Sequence, residues 1–150
     1  LANRLRRDGH LIGPLRQGTA NEYRDGALAR IVPHKDGRGS RAVVLSLFST
    51  SAMQFYAFPT YGLGVEGTVA YTDPDRLPCV HCELLLEPRS FLCLTEDSFT
   101  EYAHGIEARE ADVVDPERQL NVGLGLVAPH TNKPGLSIER RPRVSLVLWS

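Results

Sequence analysis

The sequence predicts a mainly β domain, a barrel or a sandwich, preceded by one short helix. Three observations carry this reading. Beyond residue 42 the apolar residues fall in short runs rich in β-branched and aromatic side chains, as strands require. No apolar period of 3.6 residues appears in the same region. Two of the runs are separated only by Pro88-Arg89, a link short enough to join neighbouring antiparallel strands.

Taken in order, residues 1–8 can form a basic helix, with Leu1 and Leu5 four apart on one face and Gly9 ending it. The strand runs are AVVLSLF (42–48), MQFYAF (53–58), CELLLE (82–87), SFLCLTE (90–96) and VSLVLW (144–149). Between them lie two long irregular stretches, 59–81 and 107–140, the second carrying Asp115-Pro116 and Lys133-Pro134-Gly135. Loops of this length are expected to be functional or mobile.

With 42% apolar and 23% charged residues, a chain of 150 residues has the makings of one domain with a real core. No apolar run approaches the roughly 18 residues of a membrane span, and the N-terminus lacks the apolar stretch of a signal peptide. A net charge of −1 gives no general pull toward nucleic acid. The basic residues are nearly all arginine, Lys35 and Lys133 being the exceptions, and arginine favours bidentate contact with carboxylate or phosphate. The three cysteines, Cys79, Cys82 and Cys93, form no disulfide framework, so a reducing compartment, cytoplasmic or nuclear, is expected.

The chemistry concentrates in Ile31-Val32-Pro33-His34-Lys35-Asp36-Gly37. In extended backbone, residues two apart face the same side, so His34 and Asp36 can reach one metal ion. Alone the His-x-Asp pair is weak, since five histidines and eight aspartates produce it by chance roughly a quarter of the time in such a chain. Its context strengthens it. His104, in Glu101-Tyr102-Ala103-His104-Gly105-Ile106, follows a strand pair and supplies a third nitrogen donor. Two imidazoles and a carboxylate on one face of an octahedron leave room for a bidentate co-substrate and dioxygen. In the final strand, Arg143 can hold a dicarboxylate through two parallel charge-assisted hydrogen bonds, and Ser145 faces the same way.

The order of these elements resembles the AlkB family of dioxygenases, and within it most closely the branch called AlkB homologue six. The shared stretches are Val32-Pro33-His34-Lys35-Asp36-Gly37, Leu84-Leu85-Leu86-Glu87-Pro88-Arg89-Ser90, His104-Gly105-Ile106 and Arg143-Val144-Ser145-Leu146. They span about residues 21–149, with the two long loops unaligned. The resemblance implies a double-stranded β-helix, or jelly-roll, with a short N-terminal helix. It makes His34, Asp36 and His104 the ligands of iron(II) and Arg143 the partner of the distal carboxylate of 2-oxoglutarate. Asn21 and Tyr23 match the family's Asn-x-Tyr, which also touches the co-substrate, although their distance from His34 is slightly longer here.

The activity so implied consumes dioxygen and 2-oxoglutarate and hydroxylates a C–H bond. On an N-methyl group the product collapses to formaldehyde and a demethylated base, so the expected partner is alkylated DNA or RNA. No membrane and no obligate protein partner is expected. The same chemistry on a protein, or a jelly-roll that binds without catalysis, are the alternatives. Trp149 stands where many members of the family carry a second arginine. The whole chain, 1–150, reads as the catalytic domain without an upstream substrate-recognition segment.

Other features have blander readings. Cys79-Val80-His81-Cys82 offers half a zinc site with no second pair of ligands at matching spacing. His10 and His130 are expected to face solvent, and Phe55, Tyr56, Phe58 and Tyr61 to pack in core or lid rather than stack on a base. Arg140 and Arg141 read either as phosphate contacts or as a solvated edge.

Overall fold

A computed structural model describes residues 1–24, 30–36, 39–57 and 79–150. The predicted mainly β architecture with a short N-terminal helix is what the chain adopts. Helix α1 (Ala2–Arg7) leads into strands β1 (Gln17–Tyr23), β2 (Ile31–His34), β3 (Arg41–Leu47), β4 (Ser51–Ala57), β5 (Cys79–Leu86) and β6 (Phe91–Thr95). A single helical turn, α2 (Asp97–Thr100), precedes β7 (Tyr102–Ile106). Then come β8 (Ala111–Val113), the turn α3 (Leu120–Gly123), β9 (Ser137–Glu139) and β10 (Arg143–Trp149).

Eight strands make two antiparallel four-stranded sheets, ordered β1-β10-β3-β6 and β2-β7-β4-β5. The chain passes back and forth between them, an arrangement consistent with a β-sandwich of jelly-roll type. The main core lies between the sheets. Tyr23, Ala42, Val44, Leu94 and Val147 enter it from one side, and Met53, Phe55, Leu86 and Ile106 from the other. Period-two alternation explains why these residues were legible: alternate positions of β10, Arg143, Ser145 and Val147, are buried while those between are only partly so.

The outer faces are covered differently. Leu5 of α1 and Leu11 pack on Val43 behind the first sheet, with Leu148 and Cys93 beside them. Leu5 is buried whereas Leu1 is exposed, so only one of the two predicted leucines anchors the helix, and Gly9 follows it with φ +79°. Behind the second sheet, Val114, Val122, Val127 and Ile138 cover Ala52 and Leu85.

That second cover corrects the reading of 107–140 as an irregular stretch. The segment contains the β8–β9 hairpin and α3, and it is pinned to the sheet by polar contacts. Asn121 both accepts from the Leu85 N–H (2.9 Å) and donates to the Leu85 carbonyl (2.8 Å), so its side-chain amide pairs with the free edge of β5. Glu87 accepts from the Ala128 N–H and the Thr131 hydroxyl. A sequence period could not show this, because its apolar residues are spaced by irregular backbone.

Two further expectations need correction. The Pro88-Arg89 link does not join paired neighbours: β5 ends in one sheet and β6 begins in the other, where it pairs with β3. Arg89 takes φ +67° and its N–H donates to the Ser46 carbonyl, which turns the chain across the sandwich. Helical turns do occur beyond residue 42, but α2 and α3 have four residues each, too short to leave a period. Strand β5 begins at Cys79, three residues before the predicted start, and β1, β2 and β7 were not evident as runs because polar residues interrupt them. Phe58, Tyr61 and most of 59–81 lie outside the described residues.

Candidate metal centre

The site begins with strand pairing. Strand β7 lies between β4 and β2, so His104 stands opposite Phe55 on one side and opposite His34 on the other. Phe55 is a core residue, and its ring lies 6.2 Å from that of His104, so both face the interior of the sandwich. The two imidazoles are 4.6 Å apart, centroid to centroid. Beyond the end of β2 the chain returns Asp36 to the same place, 3.9 Å from His34 Nε2 through Oδ1 and 3.9 Å from His104 Nε2 through Oδ2.

These three residues could hold a metal ion: their donor atoms all lie within 4.8 Å of one another. Cis donors about 2.1 Å from an octahedral ion are about 3 Å apart, so closure requires the donors to approach by about 1–2 Å. The polar inventory agrees. Asp36 Oδ2 and His104 Nδ1 are buried and have no hydrogen-bond partner among the described residues. Such atoms are costly in a finished core and expected at a site meant to bind something. His34 Nδ1 lies 3.0 Å from the Val32 carbonyl. A carbonyl only accepts, so Nδ1 carries a proton and Nε2, on the side of Asp36, is the nitrogen left to serve a metal ion.

Burial drives the electrostatics. It raises the pKa of Asp36, while the His34 charge and a hydrogen bond from the Trp149 indole pull the other way. Burial, reinforced by His34, lowers His104 from 6.5 to about 3, so its ring is neutral and able to donate a lone pair at physiological pH. Trp149, at the position expected to carry an arginine, thus contacts the carboxylate itself. Lys35, between the two ligands of the pair, donates to the Thr100 carbonyl (2.9 Å) and ties the segment to α2.

A second cluster lies on the facing sheet. The register of β1 against β10 sets Tyr23 opposite Arg143 and Asn21 opposite Ser145. Asn21 Nδ2 donates to Ser145 Oγ at 3.5 Å, and the Arg143 guanidinium carbon lies 5.1 Å from the Tyr23 ring centre. All four residues named from the sequence are therefore together. Arg143 is 3% exposed, and its Nε donates to Ser46 Oγ (3.0 Å). Its two terminal nitrogens and the Tyr23 hydroxyl have no partner among the described residues. Burial lowers the Arg143 pKa, Tyr23 opposes that, and the nearby Arg140 charge adds to it.

The two clusters share one interior. Tyr23, Ile106 and Arg143 line the same cleft, and Ile106 lies two residues beyond His104 on the same face of β7, about 6.6 Å along the strand. The unpaired terminal nitrogens of a buried cation and the His34-Asp36-His104 set thus both face the space between the sheets.

The remaining candidates fall outside this site. Arg140 is neither a phosphate contact nor a solvated edge: it is buried, with Nε and Nη2 on the two oxygens of Asp112 at 2.7 and 2.8 Å. Arg141 is exposed and pairs with Glu139. His130 is exposed, whereas His10 is partly covered, its ring 4.7 Å from that of Phe91. Phe55 and Tyr56 are both buried, in keeping with packing. Among the described residues no metal cluster involves Cys82 or His81. Ser46 was missed, although its inward position in the β3 alternation, after Ala42 and Val44, marks it as a polar residue in a core row.

No protein-family model matches the chain. Among the described residues no helix is long and apolar enough to cross a membrane.

Proposed function

We propose that the chain is an iron(II)- and 2-oxoglutarate-dependent dioxygenase of AlkB type that oxidises a C–H bond, an N-methyl group of alkylated nucleic acid in the reading taken from the motifs. One observation carries the proposal: the His34-Asp36-His104 set and the unpaired terminal nitrogens of Arg143 lie on facing sheets, both turned toward the interior of the sandwich. When bound there, iron(II) with dioxygen and 2-oxoglutarate supplies the oxidising chemistry, releasing succinate and carbon dioxide and hydroxylating the substrate.

The protein's own residues prepare that chemistry. Arg143 offers two parallel N–H donors to the distal carboxylate, and the Tyr23 hydroxyl adds a third polar contact. Ser46 fixes the guanidinium from behind, and the Asn21–Ser145 pair fixes the neighbouring wall. His34 is held by the Val32 carbonyl in the tautomer that leaves Nε2 free. Phe55, Ile106 and Leu86 exclude water from the interior side.

Anaerobic addition of iron(II) and 2-oxoglutarate should produce a metal-to-ligand charge-transfer band. It should be absent in His34→Ala and strongly weakened in Arg143→Ala, both with the circular-dichroism spectrum of the wild type. A protein that binds neither iron nor 2-oxoglutarate under these conditions refutes the proposal. Succinate formation with methylated oligonucleotides, set beside methylated peptides, decides the substrate class, and iron-dependent turnover of either kind excludes a purely binding role.

A further inference from the structure

The metal ligands His34 and His104 face each other only because β2 contains one residue too many. Its pairing with β7 matches Ile31 with Ile106 and His34 with His104, three steps on one strand against two on the other. Side chains alternate along a strand, so in a regular ladder starting from Ile31, an inward residue, Pro33 would stand opposite His104 and His34 would point out of the sandwich. The extra residue flips His34 inward.

The irregularity is built from particular residues. Pro33 has no N–H, so its place in the bulge leaves no ladder donor unpaired. Gly105 lies beneath it: a Cβ there would stand 2.8 Å from the Ile31 carbonyl oxygen, 3.1 Å from Pro33 N and 3.2 Å from Pro33 Cα. The obstacles are all backbone atoms, so a side chain at 105 must move β2 rather than a flexible neighbour. Val32, inside the bulge, supplies the carbonyl that orients the His34 ring. Inversion of the face and choice of the tautomer therefore share one origin.

We propose that the Pro33 bulge, seated in the space left by Gly105, is the positioning device of the metal centre, setting the separation and ring orientation of His34 relative to His104. This inference rests on the metal-binding reading above. Relief of the 2.8 Å contact requires several tenths of an ångström of β2, and that displacement adds to the movement of the donors that closure on an ion already requires.

The test is cobalt(II) binding, followed by absorbance titration at a temperature well below unfolding, together with thermal unfolding of each variant. Gly105→Ala should bind cobalt(II) at least about tenfold more weakly while still folded, as expected when the groups that orient ligands are disturbed. Pro33→Ala, which restores an N–H and frees the backbone, should weaken binding several-fold with little change in Tm. Gly123→Ala is the control: its Cβ would meet the Pro116 carbonyl oxygen at 2.6 Å, an equally severe backbone clash in the outer cover. It should lower Tm and leave cobalt(II) affinity within about twofold. The inference is overturned if Gly105→Ala binds like the wild type, or if Gly123→Ala weakens binding as much. Should Gly105→Ala fail to fold, Pro33→Ala decides, and wild-type affinity there overturns the inference. A wild type that binds no cobalt(II) overturns the metal reading and this inference with it, whereas wild-type binding that survives both substitutions overturns the inference alone.

Discussion

Replacement of Arg143 by methionine should stabilise the ligand-free protein while removing the 2-oxoglutarate binding proposed for it. The guanidinium is 3% exposed, has one neutral partner in Ser46, and leaves both terminal nitrogens unpaired among the described residues. No carboxylate offsets its desolvation; Tyr23 opposes it in part, and Arg140 adds repulsion. Replacement of buried ionic groups by apolar residues of similar size is commonly favourable by about 1–4 kcal/mol. With methionine filling the volume we expect a gain of about 1–3 kcal/mol. At about 2–4 °C per kcal/mol for a domain of this size, Tm should rise by about 2–12 °C. Loss of a charge-assisted bidentate pair removes at least about 2 kcal/mol of binding, hence at least about 30-fold in affinity. Thermal unfolding with cobalt(II), with and without 2-oxoglutarate, reads both effects. Wild type at a hundredfold excess over Kd should gain about 2.7 kcal/mol, and the variant much less. A ligand-free Arg143→Met that unfolds more than about 2 kcal/mol below wild type would show that the guanidinium is structurally paired, and persistence of the 2-oxoglutarate shift would remove Arg143 from the site.

Two other outcomes are accessible by the same instruments. Asp112 is buried, binds Arg140 through both oxygens and accepts the Ala52 N–H, so Asp112→Ala strands a buried cation. It should cost about 3–5 kcal/mol, or roughly 10 °C in Tm, without altering the affinity of the surviving folded protein for cobalt(II); a change under 1 kcal/mol refutes the reading of Arg140 as structural. In the metal-free protein, the folded-state pKa of His104 is lowered to about 3 while the unfolded value stays near 6.5. The unfolded chain therefore binds the proton first, so this contribution to stability is complete above about pH 6.5 and is lost as pH falls from there toward 3, by at most about 1.4 kcal/mol per unit. Asp36, raised by burial, acts in the opposite sense where it titrates, so the wild type should be compared with His104→Gln between pH 5 and 7; equal slopes in the two proteins rule the effect out.

Much of the site was legible in one dimension because its parts lie on regular strands. Arg143 and Ser145, or Asn21 and Tyr23, are two apart, and an extended backbone then needs only the right register to bring the pairs together. Ser46 and Phe55 were not assigned to the site, since a serine or phenylalanine in a strand has no signature until its partner is known. Arg140 was misjudged because nothing local announces Asp112, twenty-eight residues away, as its partner.

What the sequence determined by itself was the class of architecture and the donor set: short apolar runs with period two, and the His-x-Asp, His-Gly-Ile and Arg-x-Ser elements in order. What only the tertiary structure decided was which strands meet and which way each donor faces. The alternation rule makes facing depend on the parity of every pairing, and one extra residue at Pro33 reverses it for His34. Room for that residue comes from Gly105 on a strand far along the chain, and so the geometry of the candidate metal centre belongs to neither segment until β2 and β7 lie side by side.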